Sequence, residues 1–399
     1  MTRIITSIAT FLAVGFALFV MPSTGGKAQA QTVAVPQFKV DPYWPKPLPQ
    51  IKDAEGQLRR WVTGEIGGVC VDSKDRIITT NRGWQNDRLG GLLSWEAIAG
   101  MAAPPVVVYD AEGNVTASWG DASFIAPKGG TKVMPEAFHG CFVDYEDNIW
   151  VMGVQDGIIQ KYSNDGSKML LQIGTKGICD GKPDQSPNNF FPSCGDSAPF
   201  NSSKTLLNDP ADVWVDPNPD PVTKERGSIY IADGYGNHRV VVFDSKGKYL
   251  RQWGSAGDGP GQFVKTGGGH PHCVAVAKDG MVYACDRGHS RIFEYDKLGT
   301  LKRTIGIDPE GGLMARLRTG DIDFSTDPQQ TFMYTTDLGN AVVQILNRAT
   351  GRIVGSVGTG PGRQAGMLVT PHQMVVDSKG NVYVAETITS RRVQKFVKQ

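Results

Sequence analysis

Short apolar strands separated by turn signals recur along the whole chain. One unit reads as a small residue or His, an apolar strand, an Asp/Gly turn, and a second apolar strand ending in a polar residue. A short loop, a third strand, another turn and a fourth strand ending near Gly complete it. The clearest copy runs from Ala211 to Gly254, ADVWVD followed by SIYIADGYGNHRVVVFDSKGKYLRQWG. A second, HCVAVAKDGMVYACDRGHSRIFEYDKLGTLKRTIG, starts at His272. Others open at Gly67, His139, Gly320 and His372, so the chain holds six copies. Their strands are β-branched and too short for helices, and the turns fall where hairpins need them. Repetition of a four-stranded antiparallel unit predicts an all-β fold, a six-bladed β-propeller, because one unit cannot bury both faces of its own sheet.

The sixth copy stops after its third strand, at Phe396. Closing a ring then needs a strand from elsewhere, and Gln37-Phe38-Lys39-Val40 is the candidate. The predicted organisation is a leader over residues 1–30, a segment over 31–66 that carries this ring-closing strand, and the propeller over 67–399. In each blade the start of the first strand and the end of the second lie on one face near the axis. Two insertions map to that face. Gly83 to Pro104 is expected to include a short helix near Leu92 to Met101, and Thr175 to Pro210 joins the second and third units.

Composition agrees with this picture. Of 399 residues 49 are Gly and 24 are Pro, which suits a fold of many turns rather than long helices. Lys and Arg number 41 against 40 Asp and Glu, so nothing electrostatic favours nucleic acid or an anionic membrane as partner. A monomer acting on a small or peptide substrate is expected. Arg3, the apolar run Phe11 to Met21 and Ala28-Gln29-Ala30 have the order of a secretory leader, with Gln31 as the new first residue. Secretion or a periplasmic location follows. In such an oxidising compartment six Cys invite pairing. Cys179 and Cys194, in one Gly/Pro/Asn-rich loop, form the expected disulfide. Cys273 and Cys285 either bridge a hairpin or remain buried thiols, and Cys70 and Cys141 are expected as core thiols on inner strands.

Aligned at the residue that opens the first strand, the units show Gly67, His139, Ala211, His272, Gly320 and His372. His alternates with a small residue. Alternate blades of a six-fold ring lie about 120° apart, so three imidazoles converge on one point in the channel mouth. Three His with an open position make a catalytic zinc pattern, although copper and iron also accept imidazole. His238 and His289 occupy turn positions before a third strand, and His270 breaks the alignment, so none of these is expected as a ligand. Arg82, Tyr235 and Arg287 follow the ends of second strands and face the same mouth. Two guanidinium groups can hold a carboxylate through paired hydrogen bonds, and a phenol can exchange a proton.

The segments NRG at Asn81, FHGCFVD at Phe138, DGYGNHRV at Asp233, PHCVAV at Pro271, CDRGHSRI at Cys285 and TPHQMVVD at Thr370 resemble the catalytic core of peptidyl-α-hydroxyglycine α-amidating lyases. The repeats are similar to NHL repeats. By that resemblance His139, His272 and His372 would bind zinc, Tyr235 would be the general base, and Arg82 and Arg287 would serve substrate and reaction. The family has an Asp after the last zinc His that helps hold calcium. Here that residue is Gln373, which counts against calcium. Phe138 stands where the family has Pro, and Gly236 stands where it has a Cys beside the Tyr. The implied activity is a carbon–nitrogen lyase that splits an α-hydroxyglycine-type carbinolamide into an amide and glyoxylate. Two other readings suit a propeller: a metal-dependent lactonase or hydrolase, and a non-catalytic NHL-type binding module.

Overall fold

The structure is a computed structural model that describes residues 33–82, 100–120, 133–135, 138–181, 201–265, 270–307 and 318–399. The leader at residues 1–30, Cys194 and most of the expected helix lie outside these residues. Gly100–Ala102, the described end of that expected helix, is instead a strand lying parallel to Leu58–Val62. No helix among the described residues is long and apolar enough to cross a membrane.

Val35–Gln399 is a six-bladed β-propeller. The innermost strands are Ile66–Val71, Phe138–Val143, Pro210–Asp216, Val274–Val276, Ile322–Phe324 and Pro371–Val376. From each, the sheet runs outward through antiparallel neighbours. The outermost strand of the sixth blade is Phe38–Asp41, paired antiparallel with Arg392–Lys398 in the register Phe38 to Lys398.

Local chemistry explains the tight turns. In the hairpin after Phe243, Asp244 Oδ1 accepts from the N–H groups of Lys246 and Lys248, and Gly247 takes φ 81°. Asp296 with Gly299 and Asp377 with Gly380 repeat the device. The Asp side chain replaces a backbone partner, and Gly takes the left-handed conformation without steric cost.

The core lies between blades rather than within them. Trp150, Met152 and Ile159 of the second blade pack on Val213, Ile229 and Val241 of the third. Equivalent clusters fill every other junction, and the one between the sixth and first blades includes Trp44, whose ring lies 4.9 Å from that of Tyr383. Every blade thus packs its sheet on its neighbours, which is how a ring satisfies strands that would be exposed in an isolated blade.

Two disulfides join described residues. Cys273–Cys285 closes the inner hairpin of the fourth blade. Cys70–Cys141 ties the innermost strand of the first blade to that of the second, correcting the expectation of two core thiols. Neighbouring innermost strands converge at the axis, which brings the two Cα atoms to 5.7 Å. Cys179 is also disulfide-bonded.

Candidate metal centre

An acidic residue closes the second strand in four of the six blades and organises the turn after it. Asp233 accepts from the N–H of Asn208, just before its own blade's innermost strand, and from Nε of Arg239 on its third strand. Asp286 does the same with Val264 N–H and Arg291, and Glu386 with Val369 N–H and Arg392. These buried carboxylates lock the turn after the second strand against the turn before the first. Tyr235 and Arg287 leave from those locked turns, and Arg82 leaves from the corresponding position after Asn81.

His139, His272 and His372 meet at the mouth of the channel, where one nitrogen from each lies within 4.8 Å of the others. All three are buried. Each Nδ1 faces the carbonyl that opens the next blade: Ala211 at 2.7 Å, Gly320 at 2.5 Å and Gly67 at 2.7 Å. A carbonyl only accepts, so each Nδ1 carries the proton and each Nε2 presents a lone pair. The small residues of the alternating pattern therefore orient the imidazoles as well as leaving them room.

Lone pairs then face one another. Nε2 of His372 is 3.2 Å from Nε2 of His139, and no proton lies between them. Tyr235 Oη is 3.0 Å from Nε2 of His139 and 3.0 Å from Nε2 of His272. A phenol has one proton to donate, so three converging acceptors exceed the donors supplied. Such a cluster is satisfied by a cation, and neutral imidazoles oriented through Nδ1 are what zinc uses. Burial, then repulsion from His372 and Arg82, holds His139 well below the usual imidazole range. Burial, then Arg287 and the other two imidazoles, does the same to His272. Burial and Arg82 push His372 down to about 3. All three shifts favour the neutral imidazoles that a metal site requires.

The two arginines flank the triad. Arg82 Nη1 pairs with Glu65 at 3.0 Å, and its Nε donates to the carbonyl of Phe138, beside His139. Glu65 in turn accepts from Thr387 Oγ1 at 3.0 Å. Arg82 Nη2 is buried and meets no hydrogen-bond partner among the described residues. Arg287 Nη1 lies 3.4 Å from Tyr235 Oη, and its Cζ sits 5.4 Å from the centre of the phenol ring. The cluster of three acceptors, one phenol and two guanidinium groups can hold a cation, bind an anion and move a proton at one place.

The other histidines lie elsewhere. His289 contacts Asp286 at 2.7 Å and Asp258 at 3.0 Å. His270 Nδ1 accepts from Gly288 N–H at 2.9 Å, and His238 is buried in the turn before Arg239. Sequence reasoning missed Glu65, whose partners Arg82 and Thr387 come from opposite ends of the chain. An acid two residues before the unit recurs only at Asp209, so no repeat signal marked it. It also missed Asp212 and Asp321, which with Gln373 line the same cavity one residue beyond the ring of small residues and imidazoles. These three accept backbone N–H groups from other blades: Asp212 from Val274, Asp321 from Met374, and Gln373 from both Val69 and Cys141.

Residues 218–328 match a family described as a 6-bladed beta-propeller. The chain is 24% identical over 243 residues to the peptidylglycine alpha-amidating monooxygenase of Rattus norvegicus, covering 57% of this chain and 20% of that protein. It is 22% identical over 236 residues to a probable peptidyl-alpha-hydroxyglycine alpha-amidating lyase of Caenorhabditis elegans, covering 57% of this chain and 55% of the relative. Against the human NHL repeat-containing protein 3 it is 29% identical over 202 residues, 48% of this chain and 50% of that one. The chain therefore spans about a fifth of the length of the amidating monooxygenase it matches.

Proposed function

We propose that the chain is a zinc-dependent lyase that cleaves the C–N bond of an α-hydroxyglycine-type carbinolamide, releasing an amide and glyoxylate. The observation that carries this reading is the phenol of Tyr235 placed 3.0 Å from two of three converging imidazole nitrogens, with a guanidinium group on either side. Distant similarity to amidating enzymes supports the same reaction class.

His139, His272 and His372 would hold the ion through Nε2. Zinc there supplies a Lewis acid that makes the substrate hydroxyl easier to deprotonate. Arg82 and Arg287 bind the substrate carboxylate and fix the orientation of the carbon that bears the hydroxyl. Tyr235, which would act as the phenolate beside the bound cation, takes the hydroxyl proton as the aldehyde C=O forms and the C–N bond breaks. The bonding pair leaves on the amide nitrogen, which recovers a proton from Tyr235. The sum is one carbinolamide converted to one amide and one glyoxylate, without water or an electron carrier. Glu65 holds Arg82 in place and offsets part of the positive charge around the imidazoles.

The test is glyoxylate release from a short acyl-α-hydroxyglycine, measured by a colour reaction, with simple lactones in parallel. Zinc-loaded protein is expected to release glyoxylate, and Tyr235→Phe to lose about 10²–10⁴-fold in kcat with its zinc retained. Turnover of lactones but not hydroxyglycines would replace the lyase with a hydrolase. A lactone has no free carboxylate before ring opening and leaves the arginine pair unused.

A further inference from the structure

Tyr235 rides on a turn that joins Ser228–Asp233 to Arg239–Phe243, and neighbouring segments grip that turn from two sides. On one side are Asn208 and Asp209, the last residues before the innermost strand of the same blade. The carbonyl of Asp209 accepts from Tyr235 N–H at 3.1 Å. That of Asn208 accepts from Gly236 N–H at 3.1 Å and from Asn237 N–H at 3.3 Å. On the other side His270 N–H donates to the carbonyl of Gly234 at 2.8 Å.

Asn208 is held in turn. Its N–H donates to Asp233 Oδ1 at 2.8 Å and its Nδ2 to the carbonyl of Asp180 at 2.8 Å. Asp180 Oδ2 accepts from Asn237 Nδ2 at 3.1 Å, and Asp180 directly follows the disulfide-bonded Cys179. Asn208, Asp233 and Asn237 have no exposed surface, and Asp180 has almost none. The Asn208 side chain also fills the space against Gly236. A Cβ there would stand 2.0 Å from Asn208 Oδ1, closer than any real contact. Neither Asn208 nor Asp180 is among the residues lining the cavity of the imidazoles.

We infer that Asn208 is a positioning residue for Tyr235: it anchors the turn to the segment that follows the second blade, and so fixes where the phenol stands against the imidazoles. The constraint is mechanical. A tyrosine has two side-chain torsions, so once packing sets them Oη follows its backbone. Displacements of about 1 Å in a reacting group can lower a rate by about 10²-fold. Anchoring from one side would leave the turn free to pivot, whereas Asn208 opposite His270 and Pro271 prevents that. The inference rests on the lyase reading for its kinetic test but not for its structural one.

The experiment uses the full zinc-loaded chain and four variants, Asn208→Ala, Gly236→Ala, the double variant, and Tyr235→Phe. Asn208→Ala keeps the backbone bonds to the turn and loses the side chain's hold on Asp180, so it is expected to lower kcat about 10- to 100-fold with KM and zinc content little changed and Tm lowered. Gly236→Ala is expected to lose kcat as well, because its new methyl group meets Asn208. Gly236 does not need a left-handed backbone, so the defect is one of space. The double variant should then be more active than Gly236→Ala alone, since the methyl group enters the space that Asn208 vacates. A role in folding alone would lower Tm in both single variants and leave kcat per folded, zinc-loaded chain unchanged. In protein labelled with 3-fluorotyrosine, the ¹⁹F line lost in Tyr235→Phe marks residue 235, and Asn208→Ala should shift or broaden it. A wild-type kcat together with an unmoved Tyr235 line in Asn208→Ala would overturn the inference. If Tyr235→Phe keeps full kcat, or hydroxyglycines are not turned over, the lyase reading fails instead and the ¹⁹F line alone decides whether Asn208 anchors the turn.

Discussion

His139, His272 and His372 show how one residue type serves two ends at once. Nδ1 of each bonds a neighbouring blade, and Nε2 of each remains for a ligand. Just beyond them Asp212 meets a different fate. Burial pushes its carboxyl up to about 7. An unfolded chain releases that proton near pH ~3.9. Between those values the native state binds more protons than the unfolded one, so this group favours folding at acid pH and opposes it as the pH rises to about 8. Asn cannot ionise and can still accept from Val274 N–H. Asp212→Asn is therefore expected to stabilise the protein more at pH 8 than at pH 5, read as Tm differences from wild type at the two pH values. The lowered histidines act in the opposite sense, destabilising the native state as the pH falls below about 6.5, but they cancel in this comparison. An equal Tm difference at both pH values would contradict the burial of this carboxylate.

The three histidines, Tyr235 and both arginines were legible at this scale because they sit in register in a repeat, and a repeat turns sequence spacing into angular position. Asn208, Glu65 and Asp212 were not. Asn208 and Glu65 act through contacts made once, with partners from a different segment, and no periodicity announces such a contact; Asp212 shares its place in the repeat with Asp321, but spacing does not show that each carboxylate reaches an N–H of the next blade.

At the scale of the element, the strands and their turns came directly from alternation and from Asp/Gly spacing. The Cys70–Cys141 bridge did not. Both residues lie on innermost strands, and reading them as core thiols treated those strands as separate. Near the axis adjacent innermost strands touch, so residues 71 apart in sequence become neighbours. The bridge closes a long loop between two blades, where the entropy removed from the unfolded chain is large. Removing both thiols as Cys70→Ala with Cys141→Ala should cost about 2–4 kcal/mol of stability, seen as a lower midpoint in denaturant unfolding. Midpoints that coincide under oxidising conditions would mean that the bridge does not constrain the chain.

At the scale of the molecule, the imidazoles come from the second, fourth and sixth blades, and no single blade holds more than one. The site exists only when the ring is closed. Phe38–Asp41 on the outer edge of the sixth blade, with Trp44 packed between the sixth and first, completes that closure. An ion bound by all three imidazoles therefore binds the closed ring and not the unfolded chain, and it stabilises the ring in proportion to its occupancy.

Elemental analysis of the purified chain after loading with zinc and removal of excess tests the centre most directly. About one zinc per chain is expected in the wild type, with marked loss in His139→Ala, His272→Ala and His372→Ala and none in His289→Ala. The wild type should also melt at a higher temperature with zinc than without, and the three ligand variants should lose that gain. Full zinc content in all three ligand variants, with folded protein in each, would contradict the account.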